Sequence, residues 1–239
     1  MIVPCSREEK VEYTSKNIAK MIDHSLLRPN LTVDDIARGC AVSRRHDVMA
    51  VCCVPTDIAL CKKELAGSDV RIAAVVGFPH GYNTTNAKVF EAREAVEAGA
   101  HELDMVLHIG RLLSRDFDYV RADIKAVVDV AHARNVLVKV ILENCYLTDE
   151  LKRTACHLCE EAGADFVKTS TGFATGGATI EDLKLMRASV SAKVQIKAAG
   201  GVRDLDAALK VREAGATRFG ATATEAIMEE CYRRKGRPA

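Results

Sequence analysis

The chain has 239 residues, a length that suits one α/β barrel, since such barrels often use about 200–250 residues as a single unit. Its 34 Lys and Arg residues balance 33 Asp and Glu residues, and the net charge of +1 gives no reason to expect nucleic-acid or acidic partners. There is no charged and apolar leader and no apolar run near the ~20 residues that cross a bilayer. We therefore expect a cytoplasmic protein without membrane contact.

The chain contains nine cysteines. Five of them lie in or beside apolar segments: Cys40, Cys52, Cys53, Cys61 and Cys145. This placement is typical of buried thiols in a mid-sized chain and differs from the disulfide scaffold of a small secreted protein. Reduced cysteines are expected.

Strand-like and helix-like segments alternate along the chain. Glu8–Ile22 fits a helix loosely, and Met21–Leu27 then forms a first strand. Thr32 is a candidate N-cap, with Asp34 and Asp35 in the first turn of a helix that runs towards His46. Further strands are predicted at Val48–Val54, Arg71–Phe78, His101–Leu107, Leu137–Leu142, Asp165–Thr169, Lys193–Ala198 and Thr217–Ala221. Further helices are predicted at Asp57–Leu65, Thr85–Ala98, Phe117–Ala133, Thr148–Ala162, Thr179–Ala188, Leu205–Ala214 and Thr224–Arg234.

Eight βα units in a chain of this length predict a (β/α)8 TIM barrel with an extra N-terminal helix. The sequence Glu-Ala-Gly-Ala occurs three times at the end of a predicted helix, each time with a glycine suited to the C′ position: Gly99, Gly163 and Gly215. No linker or change of composition marks a boundary, so residues 1–239 are expected to form a single domain. Its basic C-terminal tail, about 233–239, is expected to be solvated and partly disordered rather than to bind nucleic acid.

Side chains alternate between the two faces of a strand, so the sequence shows which residues share a face. In the fourth strand Leu103, Met105 and Leu107 alternate with Glu102 and Asp104. The next three strands repeat this pattern. In the fifth, Val138, Val140 and Leu142 lie opposite Lys139, Ile141 and Glu143. In the sixth, Val167 lies opposite Phe166 and Lys168, and in the seventh, Val194 and Ile196 lie opposite Lys193, Gln195 and Lys197. Four successive strands therefore direct ionisable groups to one face.

If that face is the barrel interior, its open end holds Asp104, Lys139, Glu143, Lys168 and Lys197, with Glu102 deeper. Barrel enzymes carry their chemistry at this end. Lys168 and Lys197 on neighbouring strands would disfavour each other's protonation, which would make one of them a nucleophilic amine near neutral pH. The alternatives are a purely structural network of ion pairs, or an alternation that is displaced by one residue.

Two glycine-containing loops follow the seventh and eighth predicted strands. They contain Gly200, Gly201 and Arg203, and Gly220 and Thr222. In barrels these loops form the usual phosphate site, where backbone N–H groups approach the anion. Gly172, after Lys168, could add another amide. Arg203 could add charge or remain a surface residue.

The motifs in these places resemble those of the deoxyribose-phosphate aldolases, the DeoC-type class I aldolases. The resemblance extends from Ile22 to about Ile227. It includes Ile22-Asp23-His24-Ser25-Leu26-Leu27, Val76-Gly77-Phe78-Pro79-His80-Gly81, Glu102-Leu103-Asp104-Met105-Val106, Phe166-Val167-Lys168-Thr169-Ser170-Thr171-Gly172-Phe173 and Ile196-Lys197-Ala198-Ala199-Gly200-Gly201-Val202-Arg203.

The resemblance implies that Lys168 forms a Schiff base and that Asp104 and Lys197 transfer protons and activate it. It also implies a phosphate site formed by Gly172, Gly200, Gly201, Gly220 and Thr222. The implied reaction is the reversible cleavage of 2-deoxy-D-ribose 5-phosphate to D-glyceraldehyde 3-phosphate and acetaldehyde, in deoxyribose phosphate catabolism. It needs no metal and no cofactor beyond the covalent imine, and we expect a homo-oligomer, either a dimer or a tetramer.

Four positions depart from the family pattern. Thr222-Ala223 replaces the frequent Ser-Ser, Val54 stands where asparagine is common, and Ser25 stands where threonine is common. Some members end on a tyrosine that is thought to help proton transfer, and the nearest candidate here is Tyr232, to which that role is not carried over.

Several other signals are weighed and set aside. Cys156-His157-Leu158-Cys159 has metal-site spacing but lies in a helical pattern without a second pair. His24 and His80 could line the mouth, although satisfied polar or surface roles are expected. Cys52 could face the barrel, with an inert buried thiol expected. Two other functions stay open: an aldolase or transaldolase-like lyase for another phosphosugar, and a catalytically silent barrel that binds phosphosugars or nucleic acid.

Overall fold

The computed structural model describes residues 12–237 and contains a closed barrel of eight parallel strands in sequential order. The strands are β1 Ile22–Leu26, β2 Ala50–Cys53, β3 Arg71–Val76, β4 Glu102–Val106, β5 Leu137–Ile141, β6 Phe166–Lys168, β7 Gln195–Ala198 and β8 Arg218–Ala221. The helices are α1 Ser15–Ala19, α2 Val33–Arg45, α3 Ile58–Glu64, α4 Thr85–Ala98, α5 Ile109–Leu113, α6 Phe117–His132, α7 Asp149–Glu161, α8 Ile180–Ser189, α9 Leu205–Glu213 and α10 Thr224–Lys235. The predicted (β/α)8 TIM barrel is therefore confirmed.

The N-terminal helix is shorter than predicted. Thr14 caps α1 by accepting a hydrogen bond from the Asn17 backbone N–H, so the helix begins at Ser15. It ends at Ala19, because Ile22 already pairs with β8. The part of the predicted helix before Glu12 lies outside the described residues.

Local signals in the sequence set most helix ends. Thr32 and Asp35 form a capping box at the start of α2, in which each side chain accepts a hydrogen bond from the other residue's backbone N–H. Gly99, Gly163 and Gly215 all adopt positive φ after their helices, as the three Glu-Ala-Gly-Ala phrases predict. The short helix α5 was not predicted, because five residues are too few for a clear apolar period.

The basic C-terminal segment is exposed through residue 237, as the sequence suggests, but part of it is helical. Helix α10 continues through Lys235, so Arg233 and Arg234 belong to it. Both contact Glu230, one turn earlier, and Arg234 also contacts Asp206 at 2.7 Å. Arg237 pairs with Glu229. The pairs with Glu230, at spacings of three and four residues, each stabilise the helix by about 0.2–0.5 kcal/mol. Residues 238 and 239 lie outside the described range.

Two layers of side chains hold the barrel together. The outer layer is apolar and lies between the strands and the helices, and it includes Leu103, Val138 and Ile196. A small apolar group inside the barrel lies on the side of β2 and β3. The other side of the interior holds most of the buried charges, together with the Phe166 ring that Lys139 and Arg218 contact. Barrel interiors usually hold branched apolar residues, so this charged region is a candidate functional site. Within residues 12–237, none of the helices has both the length and the apolar character that crossing a membrane requires.

Candidate active site

Strand alternation places the charged groups as predicted. Leu103, Met105, Val138, Val140 and Val167 belong to the outer core, while Glu102, Asp104, Lys139, Lys168 and Lys197 are buried inside the barrel. β7 begins only at Gln195, however, so Lys193 lies before the strand and is exposed, and Gln195 is exposed at the lower end. The predicted strand therefore starts two residues too early, while Val194 and Ile196 belong to the outer core and Lys197 to the interior, as predicted.

Asp104 is the centre of the charged interior. Its Oδ1 atom accepts a hydrogen bond from Lys139 at 2.7 Å. Its Oδ2 atom accepts hydrogen bonds from both Lys168 and Lys197, each at 2.7 Å. One carboxylate from β4 therefore joins three lysines from β5, β6 and β7.

A deeper layer lies below Asp104. Arg218 contacts Asp23 and donates to Glu102 at 2.8 Å, while Lys139 also contacts Glu102. Lys197 forms a second ion pair, with Asp23. Glu102 was placed in this layer from the sequence, whereas Asp23 and Arg218 were missed. Applying the same alternation to β1 and β8 would have found both.

The contacts distinguish Lys168 from the other buried cations. Lys139, Lys197 and Arg218 each contact at least two carboxylates. Among residues 12–237, Asp104 is the only carboxylate that forms an ion pair with Lys168. The buried part of the cluster holds four basic groups and three acids, and the exposed Arg71 also contacts Glu102 at 3.3 Å. An unbalanced charge is costly in a buried site. Lys168 is the basic group that can most readily lose its proton.

The pKa shifts follow the same contacts. Burial lowers the pKa of Lys168, and the charge of Lys197 lowers it further, which outweighs the opposing effect of Asp104. Burial also acts on Lys197, but Asp104 and Asp23 reverse the effect and raise its pKa above the ordinary lysine value. Although burial alone would raise the pKa of Asp104, the charges of Lys139, Lys168 and Lys197 hold it well below its ordinary value. The predicted mutual effect of the two lysines is therefore unequal.

Glu143 connects β5 to the loop after β6. It has φ 56, in the left-handed region, and its carboxylate accepts hydrogen bonds from the backbone N–H and the hydroxyl of Thr171. The Thr171 hydroxyl oxygen in turn accepts from the Phe173 N–H at 3.0 Å. Burial raises the pKa of Glu143 despite these bonds. Glu143 thus fixes the loop that carries Gly172.

A cavity of about 370 Å³ opens above Lys168 at the C-terminal ends of the strands. It is formed by the strand exits and loops of β1, β6, β7 and β8. It is lined by Ser25, Leu27, Arg28, Lys168, Thr171, Gly172, Phe173, Ala199, Gly200, Gly201, Val202, Arg203, Gly220, Ala221 and Thr222. Each phosphate-binding candidate from the sequence therefore lines the same cavity as Lys168.

The cavity wall has the features of an anion site. Gly172 and Gly201 have φ 87 and 96, and no atom lies within 4 Å of where a Cβ would stand at either residue. Helix α10 begins beside Thr222, and its N-cap residue, Ala223, provides no side-chain hydrogen bond. Its first backbone N–H groups therefore remain available for an anion.

Arg28 is a cavity residue that sequence analysis missed. It is exposed, lies just after β1, and forms no ion pair with another described residue. Arg203 is exposed on the same cavity. No local motif singles out Arg28, because only closure of the barrel brings β1 beside β8. Two cations therefore stand at the rim, with Lys168 at the base.

The residues that were set aside have other environments. His24 Nδ1 lies 2.9 Å from the Thr224 hydroxyl, and burial with nearby His46 lowers the pKa of His24 to about 4. His80 is exposed and stacks on Tyr82. Tyr232 lies 3.1 Å from His46, which follows α2 at the opposite end of the barrel from the cavity. These positions confirm the satisfied or surface roles expected for the two histidines.

The cysteines are thiols, as predicted for the part of the chain that the structure describes. Cys52 faces the barrel, with its Sγ atom 3.9 Å from Asp104, and burial raises the pKa of this thiol to about 11. It is therefore protonated near neutral pH, as expected for an inert thiol. Cys156 and Cys159 are buried on α7 while His157 is exposed, so these three side chains do not converge.

Comparisons with known proteins agree with this geometry. A family model described as DeoC/LacD family aldolase matches residues 16–229. A deoxyribose-phosphate aldolase of Thermococcus gammatolerans is 52% identical over 215 residues, which cover 89% of this chain and 96% of that protein. One of Clostridium perfringens is 50% identical over 214 residues, covering 90% and 95%. A deoxyribose phosphate aldolase structure from Aeropyrum pernix, described as a unique tetramer, aligns with TM-score 0.85 and 28% identity over 91% of this chain and 92% of that one.

Proposed function

Because the chain belongs to the DeoC/LacD family of aldolases, we propose that it reversibly cleaves 2-deoxy-D-ribose 5-phosphate to D-glyceraldehyde 3-phosphate and acetaldehyde. Lys168 is the proposed Schiff-base residue. The observation that carries this role is its position: a buried amine with a single carboxylate partner, at the base of a cavity with an anion-binding wall.

The reaction begins on the Lys168 nitrogen. In its neutral form the amine attacks C1 of the open-chain aldehyde, and the resulting carbinolamine loses water to give a protonated imine. The C2–C3 bond then breaks, and its electron pair enters the enamine while the C3 hydroxyl loses a proton. The enamine carbon next takes up a proton, and water releases acetaldehyde from Lys168.

Asp104 and Lys197 supply the proton transfers. Asp104 Oδ2 already contacts both amines at 2.7 Å, so a proton can pass between them through one atom. We propose that Asp104, acting through a water, also serves the C3 hydroxyl and the enamine carbon. Between transfers Lys197 is protonated, and its positive charge then favours the neutral form of Lys168.

The phosphate group is proposed to bind at the cavity wall. Gly172, Gly200, Gly201 and Gly220 offer backbone N–H groups without Cβ atoms in the way, and Thr222 adds a hydroxyl. Arg203 adds a positive charge at the rim. Ala223, where the family often has serine, leaves this chain with one hydroxyl in place of two.

Covalent trapping tests the proposal. The protein is incubated with deoxyribose 5-phosphate and borohydride, and the modified peptide is identified by mass spectrometry. A reduced acetaldehyde or sugar adduct is expected at Lys168 and absent in Lys168→Ala, whose fold is checked by circular dichroism. An unmodified Lys168 in an active enzyme would refute the Schiff-base role.

Coupled detection of the triose phosphate tests the substrate. Turnover is expected with deoxyribose 5-phosphate and is expected to be unaffected by EDTA, since the imine is the electron sink. A panel of other phosphosugars distinguishes a related lyase, and binding without turnover would indicate a silent barrel. Strong inhibition by EDTA would indicate a metal-dependent aldolase.

We also propose a homo-oligomer and a cytoplasmic location. The tetramer described for the Aeropyrum pernix relative supports assembly, and the unpaired thiols within residues 12–237 suit a reducing compartment. Light scattering after size exclusion measures the oligomeric state, and a monomer at micromolar concentration would contradict the proposed homo-oligomer.

A further inference from the structure

Asp23 occupies a position for which the proposed reaction gives no role. It lies on β1 with no exposed surface, below the plane of Asp104. Its Oδ1 atom accepts a hydrogen bond from Arg218 Nε at 2.8 Å. Its Oδ2 atom contacts Lys197 and lies 3.8 Å from Lys139. No hydrogen bond from the described residues reaches Oδ2, so its contact with Lys197 is an ion pair.

Lys197 has two carboxylate partners, Asp104 and Asp23, and these differ in how many other cations each one contacts. Asp104 also serves Lys139 and Lys168, and its Oδ2 atom is the contact of both Lys168 and Lys197. During turnover the charge on Lys168 changes and Asp104 takes up protons, so its ion pair with Lys197 changes as well. Asp23 makes no contact with Lys168 within the ion-pair distance, so it is the partner that Lys197 keeps throughout the cycle.

We propose that Asp23 is a positioning residue that holds Lys197 in its ammonium form against Asp104, so that Lys168 is the amine left neutral. The inference rests on the proposed Schiff-base function of Lys168. It extends that function to a carboxylate that touches neither the cavity nor the reacting amine.

The surroundings of Lys197 contain no other anion that could replace Asp23. Titratable or charged side chains reach the interior around it from six strands: Asp23, Cys52, Glu102, Asp104, Lys139, Lys168 and Arg218. Glu102 pairs with Lys139 and Arg218 and, among the described residues, has no ion pair with Lys197. On β3 the interior residues Ala73 and Val75 carry no charge, and the exposed Arg71 at its start contacts Glu102 at 3.3 Å. The Cys52 thiol is protonated near neutral pH, with a pKa of about 11. Loss of the Asp23 charge would therefore leave Lys197 with Asp104 alone.

Asp23→Asn tests the inference, with Glu102→Gln as the matched control. Both substitutions remove one buried carboxylate charge and leave its shape nearly unchanged. Glu102 contacts Lys139, Arg218 and Arg71 and has no ion pair with Lys197 among the described residues. The pH profile of kcat/KM is measured for the wild type and both variants, together with borohydride trapping at Lys168.

In Asp23→Asn the fall of activity at alkaline pH is expected to move to lower pH by at least about one unit, a tenfold loss of proton affinity. The control is expected to keep the alkaline limb of the wild type. Trapping at Lys168 near neutral pH is expected to persist in Asp23→Asn, since its nucleophile is intact. The inference would be overturned if the alkaline limb of the kcat/KM profile stayed in place in folded Asp23→Asn, or if it moved equally in both variants.

Two further measurements keep the result decisive. If Asp23→Asn fails to fold, Asp23→Asn combined with Arg218→Gln removes an ion pair as a unit and preserves the net charge of the cluster, and the same shift is expected. An unshifted limb in the double variant also overturns the role of Asp23. A wild-type protein that is never trapped at Lys168 refutes the proposed function itself, which is a different outcome.

Discussion

Lys168 and Lys197 are direct partners in the register between β6 and β7, and their side-chain nitrogens share one oxygen of Asp104. Two amines in equivalent places would be equally reactive if their other contacts matched. They do not match, since Lys197 has the additional carboxylate of Asp23 and Lys168 faces the cavity. We propose that this asymmetry makes Lys168 the nucleophile and leaves Lys197 a cation.

Lys197→Met is expected to make Lys168 less reactive at neutral pH. The positive charge of Lys197 lowers the pKa of Lys168, so its removal raises that pKa. Each unit of increase reduces the neutral fraction about tenfold at a pH below the pKa. Borohydride trapping at pH 7 is therefore expected to fall at least about tenfold and to recover as the pH is raised.

Lys197→Arg is the matched control, because it keeps the positive charge. Its trapping at pH 7 is expected to stay closer to that of the wild type, even if turnover falls through loss of proton transfer. Equal trapping in Lys197→Met and the wild type, at every pH, would show that the neighbouring charge does not activate Lys168.

Gly200→Ala and Gly201→Ala are expected to differ although the two residues are adjacent. Both have positive φ, which costs an L-residue about 1–2 kcal/mol. A Cβ on Gly201 would meet nothing within 4 Å, whereas one on Gly200 would lie 2.9 Å from the Gly177 Cα atom. The second substitution therefore adds an overpacking cost of about 1–3 kcal/mol and displaces the loop.

Chemical denaturation and the KM for deoxyribose 5-phosphate measure this difference. Gly200→Ala is expected to be less stable and to have the higher KM. The two variants behaving alike would mean that the Gly177 and Gly200 segments are free to separate at little cost.

Arg28→Gln is expected to weaken binding of the phosphorylated substrate only. Arg28 and Arg203 are the two cations at the cavity rim, and both are exposed. A charge-assisted contact in such a place contributes about 1.4 kcal/mol, which corresponds to about a tenfold change in affinity. KM for deoxyribose 5-phosphate is expected to rise about tenfold in Arg28→Gln and in Arg203→Gln, with kcat/KM for unphosphorylated deoxyribose unchanged.

Arg134→Gln serves as the control, because Arg134 is exposed in the turn before β5, at the opposite end of the barrel. Arg134→Gln is expected to leave KM and kcat/KM unchanged for both sugars. If Arg28→Gln lowers kcat/KM equally for both sugars, Arg28 has a structural role. If it changes kcat/KM for neither sugar, Arg28 does not bind the phosphate group.

Sequence alone determined the barrel and the face on which its charges lie. Eight strand segments separated by helices leave few other folds, and side chains on a strand alternate with a period of two. Asp104, Lys139, Lys168 and Lys197 therefore share the interior for a local reason. The capping box at Thr32 and the glycine at residue 99 are equally local.

Only the tertiary structure decided which of these charges meet. Arg218 and Asp23 are 195 residues apart and contact each other because β8 closes the barrel against β1. The same closure brings Arg28 to the cavity and gives Lys197 the second carboxylate that Lys168 lacks. Ion pairs depend on distances across the barrel, and no local pattern of residues encodes those distances.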